Sequence, residues 1–321
     1  MRALVAGLIA VAACQHASSD QRSGSGSGSV AVADPWNVDL GEPDAPPTLG
    51  DNHERVDKLC PKVTAPYFYR VEKAGAVSYL LGTRHISIPL AKFPDVVRDR
   101  IHDAKLVVFE LAPDDHGSLA GRPIHLRDAL GSADWDRYRA LIGRREADAI
   151  EHSRPSLAIL RAAMLYEDLG AMLEQDVQRE AEAAHVPMRG LETAAFQDGV
   201  IEHLLDLRML KGLVEQTKGR DELAEANERE LREYCTGADS QPGLSAHDRK
   251  EMRAAGYTDA ELDAIDDEMI FARNAKWIPE LEPLLDAGGA YIAVGAAHLR
   301  GPRGVVALLK ARGYQVTRVT R

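Results

Sequence analysis

The heptapeptide YLLGTRH at residues 79–85 decides the fold of this 321-residue chain, because it sets a histidine three positions after the glycine that closes an apolar run. The same order returns near the other end of the chain, in YIAVGAAH at residues 291–298. Each apolar run is short enough for a buried β-strand, and each glycine marks a strand end. We therefore predict that His85 and His298 lie just past strand ends, where open α/β sheets bind their ligands.

A third buried strand, LVVFEL at residues 106–111, carries Glu110 among apolar neighbours. A carboxylate is costly to bury unless a cation or hydrogen bonds compensate its charge. Two imidazoles and a carboxylate at strand ends form a ligand set for a divalent metal ion, so His85, Glu110 and His298 are candidate metal ligands. The alternative is that each histidine is satisfied by ordinary hydrogen bonds and that Glu110 lies at a solvated strand end.

The surroundings of the two motifs predict one sheet built from both ends of the chain. Residues 67–81 have the pattern of a β-hairpin, and a helix at 94–101 leads to the strand at 106–111. After His298, a helix at 305–312 leads to a last strand at 314–319. We predict an α/β fold with a central mixed sheet from two related strand–GxxH–helix–strand halves and a large helical insertion at about 126–286.

Two more charged residues are candidates for the same site. Glu192 follows a short predicted strand and is a further strand-end carboxylate. Arg273 lies on a predicted helix, and its guanidinium suits either pairing with one of the acids or orienting a substrate carbonyl. The alternative for Arg273 is a charge on a solvated helix surface.

The first residues resemble the signal of a bacterial lipoprotein. One arginine precedes a short apolar run at 3–13, which ends in VAA before Cys14. Signals of this kind are cut before the cysteine, which is then acylated, so residues 1–14 predict an exported protein, lipid-anchored through Cys14 in the bacterial cell envelope. The alternative is an ordinary secretion signal in which Cys14 has no role.

The remaining organisation follows from composition. Residues 15–58 are rich in Gly, Ser and Pro and predict a disordered tether, which leaves 59–321 as the folded domain. In an exported protein Cys60 and Cys235 suggest a disulfide, although two free buried thiols fit the spacing as well. A net charge of −11 and the lack of a Gly-rich phosphate loop disfavour nucleic acid as a partner.

Five short motifs occur in a fixed order, and together they resemble the TraB/PrgY/GumN family, to which the Tiki metalloproteases are related. The resemblance covers roughly residues 60–321. The motifs are GTRH at 82–85, VFEL at 108–111, GLET at 190–193 with Gln197, Arg273-Asn274, and GAAH at 295–298.

The resemblance implies a metal-dependent peptidase with a peptide or protein substrate and a divalent ion, with Mn²⁺ or Co²⁺ ahead of Zn²⁺. It carries His85, Glu110 and His298 over as ligands, with Glu110 alternatively the general base. Glu192 would complete the shell and Arg273 would stabilise an oxyanion. The rival hypothesis is a non-catalytic tethered lipoprotein that binds a peptide, a signal molecule or haem, and ester hydrolysis is a third. The oligomeric state stays open.

Overall fold

The computed structural model of the chain describes residues 45–115, 117 and 122–320. The predicted signal segment with Cys14 lies outside the described residues, as does the predicted tether as far as residue 44. Within the described part of the chain, no helix combines the length and the apolar character that a membrane span requires.

A six-stranded mixed sheet forms the centre of the molecule, which confirms the predicted fold class. Its order is β4-β3-β5-β2-β1-β6. Strands β4, β3, β5 and β2 run parallel to one another, whereas β1 is antiparallel to both β2 and β6. The strands are β1 (Phe68–Lys73), β2 (Ala76–Thr83), β3 (Leu106–Leu111), β4 (Met188–Glu192), β5 (Ala290–Gly295) and β6 (Gln315–Arg318).

The helices divide into those that cover the sheet and those that form the insertion. A short 3-10 turn, Leu90–Lys92, and a π-helical turn, Asp267–Phe271, accompany them. The helices are α1 (Leu49–Leu59), α2 (Asp95–His102), α3 (Leu126–Leu130), α4 (Ser132–Ile142), α5 (Arg144–Ala149), α6 (Pro155–Ala163), α7 (Leu173–Ala183), α8 (Ala194–Leu204), α9 (Leu207–Gln216), α10 (Arg220–Thr236), α11 (Ala246–Ala254), α12 (Asp259–Asp266), α13 (Ala272–Ala287), α14 (Ala296–Leu299) and α15 (Val305–Ala311).

The hairpin of β1 and β2 begins the sheet. Lys73 pairs with Ala76, so the connection is a two-residue turn. Both turn residues have positive φ, 50° at Ala74 and 85° at Gly75. Such turns match the right-handed twist of paired strands, and a glycine reaches positive φ without steric cost. The turn therefore fixes the register in which β2 delivers the first GxxH motif.

The two ends of the chain meet in the middle of the sheet. Strand β5 lies between β2 and β3, and Thr83 pairs with Gly295. The carboxyl ends of these parallel strands lie at one edge of the sheet, so the two GxxH motifs leave it side by side. The predicted assembly of one sheet from both chain ends is confirmed.

Successive side chains of a strand point to opposite faces of the sheet, and different helices cover the two faces, so the sheet has a separate hydrophobic core on each side. Tyr291 and Ala293 of β5 pack on the face covered by α2, α7 and α10. Ile292 and Val294 pack on the other face, covered by α13 and α15. Because both faces are covered, every residue of β5 is buried.

The helical insertion has a core of its own, built around Trp135 and Tyr138. It is helical from Leu126 onward, as predicted, and it is interrupted by β4, which joins the sheet beside β3. The short strand predicted before Glu192 is therefore part of the central sheet.

The predicted tether extends too far, because residues 49–58 belong to helix α1. Thr48 and Asp51 form a capping box at its start, and Val56 is buried. The side chain of Asn52 donates to the carbonyls of Leu165 and Glu167, at 3.1 Å each. The proline-rich composition just before the helix hid its capping signal. Next to α1, Cys60 and Cys235 form a disulfide, with Cα atoms 5.9 Å apart.

Candidate metal centre

The three predicted metal ligands come together at the edge of the sheet. His85 follows β2 by two residues, Glu110 lies near the end of β3, and His298 lies in α14 directly after β5. A methyl group added to Gly295 would lie 3.2 Å from Glu110 Oε1, 3.3 Å from His85 Nε2 and 3.5 Å from His298 Cδ2. These atoms therefore border one small space beside the Cα atom of Gly295. All three side chains are buried.

The imidazole of His298 is oriented by Asn274 on α13. Asn274 Nδ2 donates to the carbonyls of His298 and Arg303, so Oδ1 accepts from His298 Nδ1 at 2.7 Å. Burial lowers the pKa of His298 to about 3, which keeps the ring neutral. With the proton on Nδ1, Nε2 carries the lone pair and accepts from Arg273 Nη1 at 3.3 Å, while Glu110 Oε1 is 3.7 Å away.

The imidazole of His85 is oriented by Glu174 on α7. His85 Nδ1 lies 2.6 Å from Glu174 Oε1, so the two side chains form an ion-pair contact. A carboxylate behind a histidine is the usual support for a metal-binding imidazole. Sequence analysis missed Glu174, which is one of many charged residues on an amphipathic helix.

Glu110 is held ionised by its neighbours. Its Oε1 accepts from the backbone N–H of Gly295 at 2.7 Å, and its Oε2 accepts from Arg273 Nη2 at 2.7 Å and from Gln197 Nε2 at 3.3 Å. Burial would raise the pKa of this carboxyl, but the electrostatic effects of His298, Arg273 and His85, together with the Gly295 N–H, bring it down to about 2.

Arg273 joins the two predicted carboxylates and is not a surface charge. It is 3% exposed. It donates through Nε and Nη2 to Glu192, at 2.8–3.1 Å, as well as to Glu110. Trp277 Nε1 donates to the other side of Glu192 at 2.9 Å. Both oxygens of Glu192 are thus engaged, and this carboxylate fixes Arg273 in position.

The π-helical turn before α13 is the second feature that sequence analysis missed. Arg273 Nη1 donates to the carbonyl of Met269 within this turn, at 2.9 Å, and lies 3.3 Å from His298 Nε2. A π-turn adds a residue to the helical cycle and so rotates the residues that follow. The turn is therefore part of what aims Arg273 at the histidine.

A cavity of about 820 Å³ opens onto the site. His85, Arg273, Gly295 and His298 lie in its wall. The opposite walls come from the helical insertion, mainly α8, α10 and residues 240–248. A molecule in this cavity would contact the histidines on one side and the insertion on the other.

A second group of metal-ligand residue types lies in the insertion, away from the cavity wall. Ligand atoms of His125, Glu151 and His152 lie within 4.8 Å of one another. His152 is exposed, and His125 is already ion-paired with Asp128, at 2.9 Å, and with Glu151, at 3.4 Å. These are the contacts of a solvated surface cluster, and we assign it no role in the site at the sheet edge.

The donor set at the sheet edge is of the chemical type that binds a divalent ion, because two imidazoles and an ionised carboxylate oxygen border the same space. Among the described residues only the group of His125, Glu151 and His152 brings three ligand atoms within 4.8 Å of one another, so the site at the sheet edge would have to contract around an ion. Mn²⁺, Co²⁺ and Zn²⁺ all accept such nitrogen and oxygen ligands. Three protein ligands would leave coordination positions for water and substrate.

Comparison with known proteins gives one match. The sequence model of the TraB/PrgY/gumN family matches residues 67–318, which includes every strand and both histidine motifs. Neither the curated proteins nor the solved structures contain a match to this chain.

Proposed function

We propose that this chain, which belongs to the TraB/PrgY/gumN family, is a metal-dependent hydrolase that acts on peptides. The observation that carries the proposal is the convergence of His85 Nε2, Glu110 Oε1 and His298 around Gly295. Each histidine contacts a separate partner through Nδ1, Asn274 for His298 and Glu174 for His85.

His85, Glu110 and His298 would hold the ion. When bound, a divalent ion would polarise a substrate carbonyl and lower the pKa of a coordinated water. Glu110 is ionised and anchored on both oxygens, so it supplies a fixed negative charge next to both imidazoles. Glu110 is also the carboxylate that could accept a proton from this water.

Arg273 would supply the positive charge for the oxyanion. It lines the cavity, and its Nη1 lies beside His298 Nε2, on the side where a substrate carbonyl would approach. Glu192 and Trp277 keep the guanidinium from turning away. The role of Glu192 is therefore to position Arg273.

The cavity supports a peptide as the substrate. A volume of about 820 Å³ is larger than a single amino acid requires, and its walls bear both charges, Arg229 and Arg300 as well as Glu233. Mixed polar walls around a buried centre suit an extended chain with varied side chains.

Metal addition tests the proposal. At a Mn²⁺ concentration about 100 times Kd, binding should stabilise the full chain by about 2.7 kcal/mol. The variant Glu110→Gln should lose this stabilisation and any chelator-sensitive cleavage of a peptide library. Glu180→Gln, which changes a carboxylate on α7 that does not line the cavity, is the matched control and should keep both. A Glu110→Gln variant that still cleaves peptides at the parental rate would refute the proposal.

One observation favours the rival function, a non-catalytic binding protein. Arg273 occupies Oε2 of Glu110 at 2.7 Å, and a carboxylate held in this way is a weak proton acceptor. Stoichiometric ligand binding without turnover would support a binder of peptides or signal molecules. A Soret band that appears on addition of haem would identify a haem binder.

The export signal and the lipid anchor at Cys14 belong to the proposal as well. The disulfide between Cys60 and Cys235 supports them, because such bonds persist in oxidising compartments outside the cytosol. Expression in a bacterium fed radiolabelled palmitate provides the test. The wild-type chain should enter the membrane fraction with label, and Cys14→Ser should carry none. An unlabelled wild-type chain would rule out the anchor.

A further inference from the structure

The backbone of the first GxxH motif is held by a tyrosine that is distant in sequence. Strand β2 ends at Thr83, and the next two residues leave the sheet. Tyr234 donates its hydroxyl hydrogen to the carbonyl of Gly82 at 2.8 Å, and its oxygen accepts from the backbone N–H of Arg84 at 3.1 Å. One hydroxyl therefore joins the groups on either side of Thr83, directly before His85.

The ring of Tyr234 is fixed by its surroundings. Its centroid lies 5.8 Å from that of Tyr67 and 6.4 Å from that of Phe93, and the residue is buried. Burial raises the pKa of the phenol, so its hydrogen is present to be donated. Because the ring is packed on both sides, the hydroxyl position depends on the position of the helix that carries it.

The helix end that carries Tyr234 is covalently anchored. Tyr234 and Cys235 lie in the last turn of α10, and Cys235 forms the disulfide with Cys60 at the end of α1. The backbone N–H of Thr64 also donates to the carbonyl of Cys235, at 2.8 Å. An unbroken series of contacts thus leads from the disulfide through Tyr234 to the residue before His85.

We propose that Tyr234 is a positioning residue for His85, and that the Cys60–Cys235 disulfide holds Tyr234 in place. This inference rests on the proposed metal centre. It makes the first histidine dependent on a bond outside the site, whereas His298 is positioned by Asn274 on α13. Metal affinity should therefore depend on the disulfide through one of the two histidines.

The test compares two buried tyrosines in full-length protein. Tyr234→Phe removes the bridging hydroxyl, while Tyr291→Phe removes a buried hydroxyl that makes no hydrogen bond within the described residues. Hydrogen exchange is measured by mass spectrometry on peptides covering 80–88 and 291–300, and Mn²⁺ affinity by calorimetry. Tyr234→Phe should speed exchange at 80–88 alone and weaken Mn²⁺ binding by about 10-fold. Tyr291→Phe should change neither.

The exchange measurement separates this inference from the proposed function. If wild-type protein binds no Mn²⁺, the proposed metal centre fails, and exchange at 80–88 still decides whether Tyr234 holds the motif. Unchanged exchange at 80–88 in Tyr234→Phe would overturn the inference. Equal acceleration at 291–300 would also overturn it, because the effect would then be global.

Removal of the disulfide tests the second part of the proposal, that the Cys60–Cys235 bond holds Tyr234 in place. Cys60→Ala with Cys235→Ala should accelerate exchange at 80–88 in the same way as Tyr234→Phe. If both changes act on one series of contacts, the triple variant should bind Mn²⁺ no more weakly than the weaker of its parents. If the losses of Mn²⁺ binding free energy in the two parents add up in the triple variant, the disulfide acts independently of Tyr234, and the inference that it holds Tyr234 in place is overturned. If the cysteine variant does not fold, the comparison of Tyr234→Phe with Tyr291→Phe still decides the first link.

Discussion

The two GxxH motifs have the same spacing and different structures. After Gly82 the chain leaves the sheet without helical structure. His85 contacts Glu174 on α7, and the backbone N–H of Arg84 just before it donates to Tyr234 on α10. After Gly295 the chain turns directly into the short helix α14, and His298 is held by Asn274 on α13. One histidine depends on elements distant in sequence, and the other on the helix just before its own strand.

This difference shows what a short motif determines. The glycine and the spacing bring a histidine to the end of a strand, but the residues between them decide the path. Ala296 and Ala297 favour a helix, whereas Thr83-Arg84 precedes a segment with a positive φ of 76° at Ser87. The support for each imidazole then comes from whatever packs beside that path.

The largest effects are expected from two arginines, Arg273 next to His298 and Arg84 in the first GxxH motif. Replacing each one tests how differently the two motifs are supported. Arg273→Met would leave the buried carboxylates of Glu110 and Glu192 without a cation, at a cost of about 3–5 kcal/mol. Arg84→Met should cost less, because its partner Glu167 keeps hydrogen bonds from Asn227 and Ser87. Denaturant unfolding measures both variants. A larger loss for Arg84→Met would contradict the comparison.

The glycines should respond in opposite ways to a single methyl group. In Gly82→Ala the new carbon would lie 2.8 Å from Tyr67 Cβ and 3.0 Å from Ala296 Cα, so stability should fall by about 1–3 kcal/mol.

Gly295→Ala should fold almost normally and lose metal binding, because its methyl group would fill the space between His85 and Glu110. Thermal unfolding with and without Mn²⁺ measures both glycine variants. A Gly295→Ala protein that binds metal as the wild type does would show that the ion lies elsewhere.

Asn274 and Glu174, the partners of the two histidines, should contribute differently to the free energy of unfolding. Asn274→Leu leaves the carbonyls of His298 and Arg303 without their donor, and the free energy of unfolding should fall by about 1–3 kcal/mol. Glu174 supports only the imidazole in the described structure. Its loss should therefore leave unfolding close to that of the wild type.

Glu174→Gln should weaken Mn²⁺ binding by about 10–100-fold, which is the smallest effect on the free energy of binding expected among these variants. The matched control is Glu180→Gln on the same helix, where Glu180 lies 2.7 Å from His102 at the surface. This control should bind Mn²⁺ normally. Equal weakening in both variants would mean that helix charge, and not the contact with His85, sets the affinity.

The sequence predicted those parts of the fold that follow from local patterns. Apolar runs closed by glycines predicted β2 and β5, and the carboxylate of Glu110 within an apolar run predicted the third candidate ligand, on β3. The partners of these residues carry no local signal, because Glu174 and Tyr234 differ from other helix residues only in what they face after folding. The π-turn before Arg273 likewise follows from tertiary packing and not from the residues it contains.

The position of β5 has a consequence for biosynthesis. This strand separates β2 from β3 in the sheet, yet the ribosome makes it after all but one of the other strands. The middle of the sheet therefore stays open until residues beyond Ala290 emerge, and pairing across such long separations is slow. The same late segment carries His298. A nascent chain that has not yet reached β5 thus lacks both the completed sheet and the second imidazole, so any hydrolytic capacity would appear only after this segment is made.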